Sequence, residues 1–213
     1  MHEIQKIAFL LDEIRQYAII SSYFLNELKI IDRKVSQISD SVVISYSRES
    51  NFCHILHDAH FLCVKAMEIG FLLRGAIVYG KVIHNVSENK LFGPAFLKAY
   101  DMERKKAIYP RIIVDDNFFR IAKNNCLSSV NPENKDLKML ISEDFDGIPY
   151  VNYFDKLYTG VKVGQKGDQE HLMWLNNNLK ALEENMNDDE NIKCKYLWFK
   201  EKYETAKRNI TNG

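Results

Sequence analysis

The thirteen residues from Lys34 to Tyr46, KVSQISDSVVISY, constrain this chain most: two runs rich in β-branched residues flank a Ser39-Asp40-Ser41 step. β-Branched residues fit a pleated sheet, and Ser and Asp favour turns because their side chains bond the local backbone. The segment therefore predicts a β-hairpin with a carboxylate at its tip. Two readings of Asp40 stay open here. It is a plain turn residue, or it is a charge held out toward a chosen partner such as a divalent cation.

At 213 residues, with 46% hydrophobic and 12% aromatic content, the chain can bury the core of one domain with appendages. Twenty-nine Lys and Arg balance twenty-nine Asp and Glu, so no global field draws nucleic acid or anionic lipid. Cys53, Cys63, Cys126 and Cys194 show no CxxC pair and no zinc-ligand spacing, which suits free thiols in a reducing cytoplasm, mostly as core filler. The opening MHEIQK is no secretory leader, and no stretch reaches the length of a membrane span. The expectation is a soluble cytoplasmic protein with neither nucleic-acid nor membrane partners.

Apolar residues at Ile4, Ile7, Ala8, Leu11, Ile14 and Ala18 predict an amphipathic helix over residues 4–30, with Asp12 as a solvated residue off the stripe. Phe52, Ile55, Leu56, Ala59, Leu62, Cys63 and Ala66 predict a second helix ending near Gly70. Leu72 to Val86, β-branched and interrupted by Gly75 and Gly80, reads as a central strand. Gly93-Pro94 starts a helix that Pro110 stops; a strand at Arg111 to Val114 and a short helix over residues 115–125 follow. Residues 135–153 read as a hairpin turning through Glu143 to Gly147, an acidic turn taken as a solvated tip because it lacks a full calcium-loop pattern. Leu172, Leu175, Leu179, Leu182 and Met186, then Ile192, Tyr196, Phe199, Tyr203, Ala206 and Ile210, predict two closing helices that pack on their own subunit or on a second one. The class is α+β: residues 1–155 as one domain, and 156–213 as a helical C-terminal extension.

Several of these segments, taken in order, resemble one family. Ile38-Ser39-Asp40-Ser41, Leu73-Arg74-Gly75-Ala76-Ile77-Val78-Tyr79-Gly80, Phe92-Gly93-Pro94-Ala95 with Ala99-Tyr100 and Glu103, and Tyr109-Pro110-Arg111-Ile112 are similar to the bacterial pyrimidine cyclases of the Pycsar antiphage systems. These are a branch of the class III nucleotide cyclases. The resemblance covers roughly residues 5 to 155, with Lys195-Tyr196-Leu197-Trp198 similar to the family's tail. It implies a class III cyclase-like sheet with helices packed on it and a homodimer with sites between subunits. It also implies cyclisation of a ribonucleoside triphosphate, UTP more than CTP, to a 3′,5′-cyclic monophosphate that acts on a separate effector in antiphage defence. The implied cofactor is Mn2+ or Mg2+, and by position Asp40 matches the second of the family's two metal aspartates. Ser39, Arg74 and Arg104 are the implied substrate-binding residues.

Some positions depart from the family pattern. The first metal aspartate lies there on a strand ahead of the first helix, in a Phe-x-Asp-Ile segment. On this resemblance that strand precedes Met1, or the chain is a shortened relative. Leu97 and Asp101 stand where general class III cyclases carry a phosphate-bracing Asn and Arg, and Ser36 and Lys90 fall near the base-selecting pair of the purine enzymes. With one carboxylate for two dications the expected activity is weak or nil, and the alternative is a cyclase-like module that binds nucleotide or a partner chain without turnover. His54, His57 and His60 recur at three-residue steps, which drift around a helix, and read as a polar face or a subunit contact rather than a metal site.

Overall fold

β1 (Arg33–Ile38) and β2 (Ser41–Tyr46) pair antiparallel along their whole length, Arg33 opposite Tyr46 and Ile38 opposite Ser41. The loop is the pair Ser39 and Asp40, with Ser39 at φ 57°, the left-handed first position that tight hairpin turns require. The computed structural model describes residues 12, 33–47, 52–127, 140–155, 165–186 and 189–212. The helix expected over residues 4–30 lies outside these, apart from Asp12, which is helical and exposed.

α1 (Phe52–Glu68) carries the predicted apolar stripe and ends at Gly70, whose φ of 86° lets the Phe71 N–H reach back to the Ala66 carbonyl at 2.8 Å. Its Leu62 and Ala66 pack against Val42 and Ile44 of β2, so one face of the hairpin lies on α1. Two polar ties hold the hairpin's open end there. Arg33 is ion-paired with Asp58, and the Tyr46 hydroxyl donates to Asp58 at 2.7 Å.

The main sheet has four strands in the order β3-β6-β8-β7: β3 (Gly75–Ile77), β6 (Ile112–Val114), β8 (Pro149–Val151) and β7 (Ile141–Glu143). β3 runs parallel to β6, and the other pairs are antiparallel. β4 (Ile83–Asn85) and β5 (Lys90–Phe92) form a separate hairpin. Leu72 to Val86 is thus not one central strand but two short strands in two sheets, with β3 at an edge among the described residues. The central strands are β6 and β8, where Ile113, Val114, Tyr150 and Val151 are all buried, as strands covered on both faces demand. The chain leaves the sheet after Ile77 because the Lys81 carbonyl accepts from Ala95 N–H at 3.1 Å, at the start of α2 (Pro94–Lys105). A Cβ on Gly80 would lie 3.2 Å from that of Ala95.

α3 (Asp116–Leu127), α4 (Gln165–Glu184) and α5 (Glu190–Asn212) complete the described elements. The two C-terminal helices pack on their own subunit. Trp174, Leu175 and Leu179 of α4 join Tyr196, Trp198, Phe199, Tyr203 and Ala206 of α5 in one buried cluster with Cys63, Met67, Ile113 and Tyr150. Asn178 ties α4 to α1 by donating to the Met67 carbonyl at 2.8 Å. The molecule is α+β, and no helix among the described residues is long and apolar enough to cross a membrane.

Candidate functional site

Asp40 sits exposed at the tip of the β1–β2 hairpin, as the Ser-Asp-Ser step predicts. Next to it, Gln37 Nε2 donates to the Ser39 carbonyl at 3.1 Å, leaving the Ser39 backbone fixed in the left-handed turn. The carboxylate projects from a strand pair whose base is clamped to α1, an arrangement that presents a charge without burying it.

The other residues of the predicted site lie elsewhere. Arg74, just ahead of β3, gives its guanidinium to Glu103 of α2, with Nε at 2.6 Å and Nη2 at 2.5 Å from Oε1. Arg104 lies over the Tyr100 ring at 5.7 Å on the exposed side of α2. Asp40 makes no hydrogen bond or ion pair with either arginine among the described residues. Leu97 is exposed and Asp101 pairs with Lys105 at 3.1 Å, so neither braces anything else. Lys98 is ion-paired with the buried Asp115 at the end of β6.

The face of the hairpin turned away from α1 holds a contact that sequence reasoning missed. His84 of β4 is buried, its Nε2 2.8 Å from Ser36 Oγ on β1 and its Nδ1 2.8 Å from Ser45 Oγ on β2. Burial first, and then the nearby Lys34 ammonium, lower the His84 pKa below the ordinary imidazole value. A cavity of about 530 Å³ adjoins it, lined by Lys34 and by Val82 to Ser87. The lone His in a β-branched segment gave no sign of these partners, which are 48 and 39 residues away in sequence.

A second polar cluster corrects the reading of the acidic turn between β7 and β8. Asp144 is not a solvated tip residue; it is buried, ion-paired with Arg111 and with Lys202 of α5 at 2.9 Å, and it accepts from Trp198 Nε1 at 2.6 Å. Arg111 also reaches Asp146 at 2.5 Å, and Tyr109 stacks on Trp198 at 5.4 Å between ring centres. Burial pushes the Asp144 pKa up, but the bonds from Lys202, Trp198 and the Phe145 N–H outweigh it and hold the group below the ordinary carboxylate value. Two cations and two carboxylates close on one another in this cluster, which fastens α5 to the sheet.

The chain matches no protein-family model, no curated protein and no solved structure. The histidines of α1 also differ from expectation. His54 lies outside the described side chains, and His60 is buried rather than part of a polar face. Each three-residue step turns about 60° around a helix, enough to carry His60 onto the covered side. Burial, with the charges of His171 and His57, lowers its pKa to about 3. Among the described residues no group of three or more His, Cys, Asp or Glu comes together to hold a metal ion.

Proposed function

We propose that this chain is a nucleotide cyclase that converts a pyrimidine ribonucleoside triphosphate, UTP in preference to CTP, to its 3′,5′-cyclic monophosphate and pyrophosphate. The observation that carries the reading is the exposed Asp40, on a tight turn of a hairpin clamped to α1, within an ordered set of motifs similar to the Pycsar cyclases. In the reaction the 3′ oxygen bonds to the α-phosphorus, the bond from that phosphorus to the bridging oxygen of the β-phosphate breaks, and the hydroxyl proton leaves to water. Asp40 would hold Mn2+ or Mg2+ together with phosphate oxygens. An ion held there would lower the pKa of the attacking hydroxyl and neutralise charge on the leaving pyrophosphate. Asp40 orients the triphosphate by that attachment, and Ser39 fixes the turn.

Ser36 offers a hydroxyl where purine cyclases carry a base-selecting lysine. Neutral donors and acceptors suit the carbonyl and N–H edge of a uracil. The resemblance implies sites between subunits, so a second copy would complete the site. Ile83 and Phe92, paired across the β4–β5 hairpin, and Leu97 and Tyr100 of α2 are exposed apolar side chains suited to such a homodimer contact. The cyclic product would act on a separate effector protein in the cytoplasm.

Incubation with each of the four NTPs and Mn2+, resolved by chromatography, tests the reading. A cyclic UMP or CMP peak that disappears in Asp40→Ala upholds it, and no cyclic product from any NTP overturns it. The engagement of Arg74 by Glu103 favours a second reading, a cyclase-like module that binds a nucleotide without turnover. Equilibrium dialysis showing UTP bound and recovered intact would identify that case.

A further inference from the structure

Hairpin β1–β2 is held from both faces, but at different heights. On the α1 face, the polar ties are Arg33 and Tyr46 to Asp58, and these two residues form the pair farthest from the tip. On the other face His84 ties both strands at once. Ser36 lies opposite Val43 and Ser45 opposite Lys34, so the two hydroxyls form a diagonal pair across the ladder, and one imidazole ring spans them. A neutral imidazole has one N–H and one lone pair, so one serine accepts from the ring while the other donates to it, and both ring nitrogens are used.

We propose that His84 is a positioning residue that fixes the Asp40 hairpin tip by binding Ser36 of β1 and Ser45 of β2 to β4. The inference rests on the cyclase reading, which gives the placement of Asp40 its consequence. A two-stranded hairpin is marginal in water by itself, and among the described residues β1–β2 shares no backbone ladder with the four-stranded sheet. Ile38 is the last paired residue of β1, so the Asp40 tip stands about three residue levels, about 10 Å at strand rise, beyond Ser36, and a small tilt at the base becomes a displacement of an ångström or more at the tip. Misplacement of that size costs on the order of a hundredfold in a positioned reaction. The hydroxyl of Ser36 is the polar tie closer to the tip, and it exists only through His84.

Hydrogen exchange of the full chain, read by mass spectrometry, tests the tie without reference to turnover, and a Mn2+ titration of cyclisation tests its consequence. In His84→Ala the amides of residues 33–46 are expected to exchange roughly tenfold faster, the effect of losing two side-chain bonds, with those of β6 and β8 unchanged. Half-saturating Mn2+ is expected to rise more than kcat at saturating metal falls. The asparagine variant His84→Asn, which keeps one donor and one acceptor, should recover part of both. The pair Ser36→Ala with Ser45→Ala, which leaves the imidazole in place, should behave like His84→Ala and serves if that variant does not fold. Unchanged exchange in residues 33–46 overturns the inference. So does faster exchange with an unmoved Mn2+ dependence in a wild type that makes cyclic product. A wild type without cyclic product, whose hairpin still loosens on His84→Ala, overturns the cyclase reading and the role of Asp40 with it, while upholding the tie itself.

Discussion

Asp40 and Asp144 both occupy turns between two strand-like runs, and they meet opposite fates. Asp40 remains in water, while Asp144 is enclosed by Arg111, Lys202 and Trp198. The difference is set by α5, which crosses over the second turn and brings two donors, Trp198 and Lys202, from far later in the chain. Asp144→Asn keeps the volume but removes the one carboxylate that Arg111 and Lys202 share, leaving the buried Arg111 with Asp146, and we expect a loss of about 3–5 kcal/mol in urea denaturation. Asp40→Ala should leave the urea midpoint unchanged and, on the proposed cyclase function, reduce cyclisation by about a hundredfold or more, the consequence of losing several kcal/mol of transition-state stabilisation. His60 and His171, buried between helices, titrate in the opposite sense to a paired group. Both pKa values are lowered by burial, that of His60 to about 3, so below the ordinary imidazole value the unfolded chain takes up protons that the folded chain refuses. Their contribution is therefore complete above about pH 6.5 and declines as pH falls from there toward 3. Urea midpoints at pH 7, 5.5 and 4.5 should fall in that order, and His60→Leu should flatten the slope.

Elements were legible in proportion to how local their causes are. The α1 stripe, its Gly70 terminus, the Gly93-Pro94 start of α2 and both closing helices follow from periodicity and end signals within each segment. The β1–β2 and β7–β8 hairpins follow from turn chemistry. The Leu72–Val86 segment was misread because its break has a distant cause, the bond from Ala95 to the Lys81 carbonyl. Gly93 enforces that junction. It has φ 139°, and a Cβ there would lie 2.8 Å from the Lys81 oxygen. Gly93→Ala should accordingly cost about 1–3 kcal/mol, seen as a lower melting temperature, because backbone strain and a clash with main chain both enter. An alanine at Gly70, where nothing lies within 4 Å of the added carbon, meets the strain without the clash and should cost less.

On the scale of the molecule, the helices of residues 165–212 are part of the core: Trp198 and Phe199 are buried with Ile113 and Tyr150 of the central strands. A chain ended after Met186 would uncover that cluster, and we expect it to aggregate on size-exclusion chromatography rather than yield a smaller folded domain. If the exposed Ile83, Phe92, Leu97 and Tyr100 form the contact between two copies, Phe92→Asp should shift sedimentation from dimer to monomer without lowering the melting temperature of the subunit. Of the candidate site, the sequence marked Asp40 and its hairpin because turn and strand preferences act over a few residues. It also marked Arg74 and Arg104 as available cations, and it could not show that Arg74 is spent on Glu103 or that Arg104 lies along Tyr100. The sequence by itself determined the helices α1 to α5, the β1–β2 and β7–β8 hairpins and where a carboxylate stands at a tip. Tertiary structure alone decided which charges are buried, which strand is central and what holds the hairpin in place. Those outcomes depend on side chains brought together from 25 to 58 residues apart, and burial and electrostatic pairing are properties of that assembly.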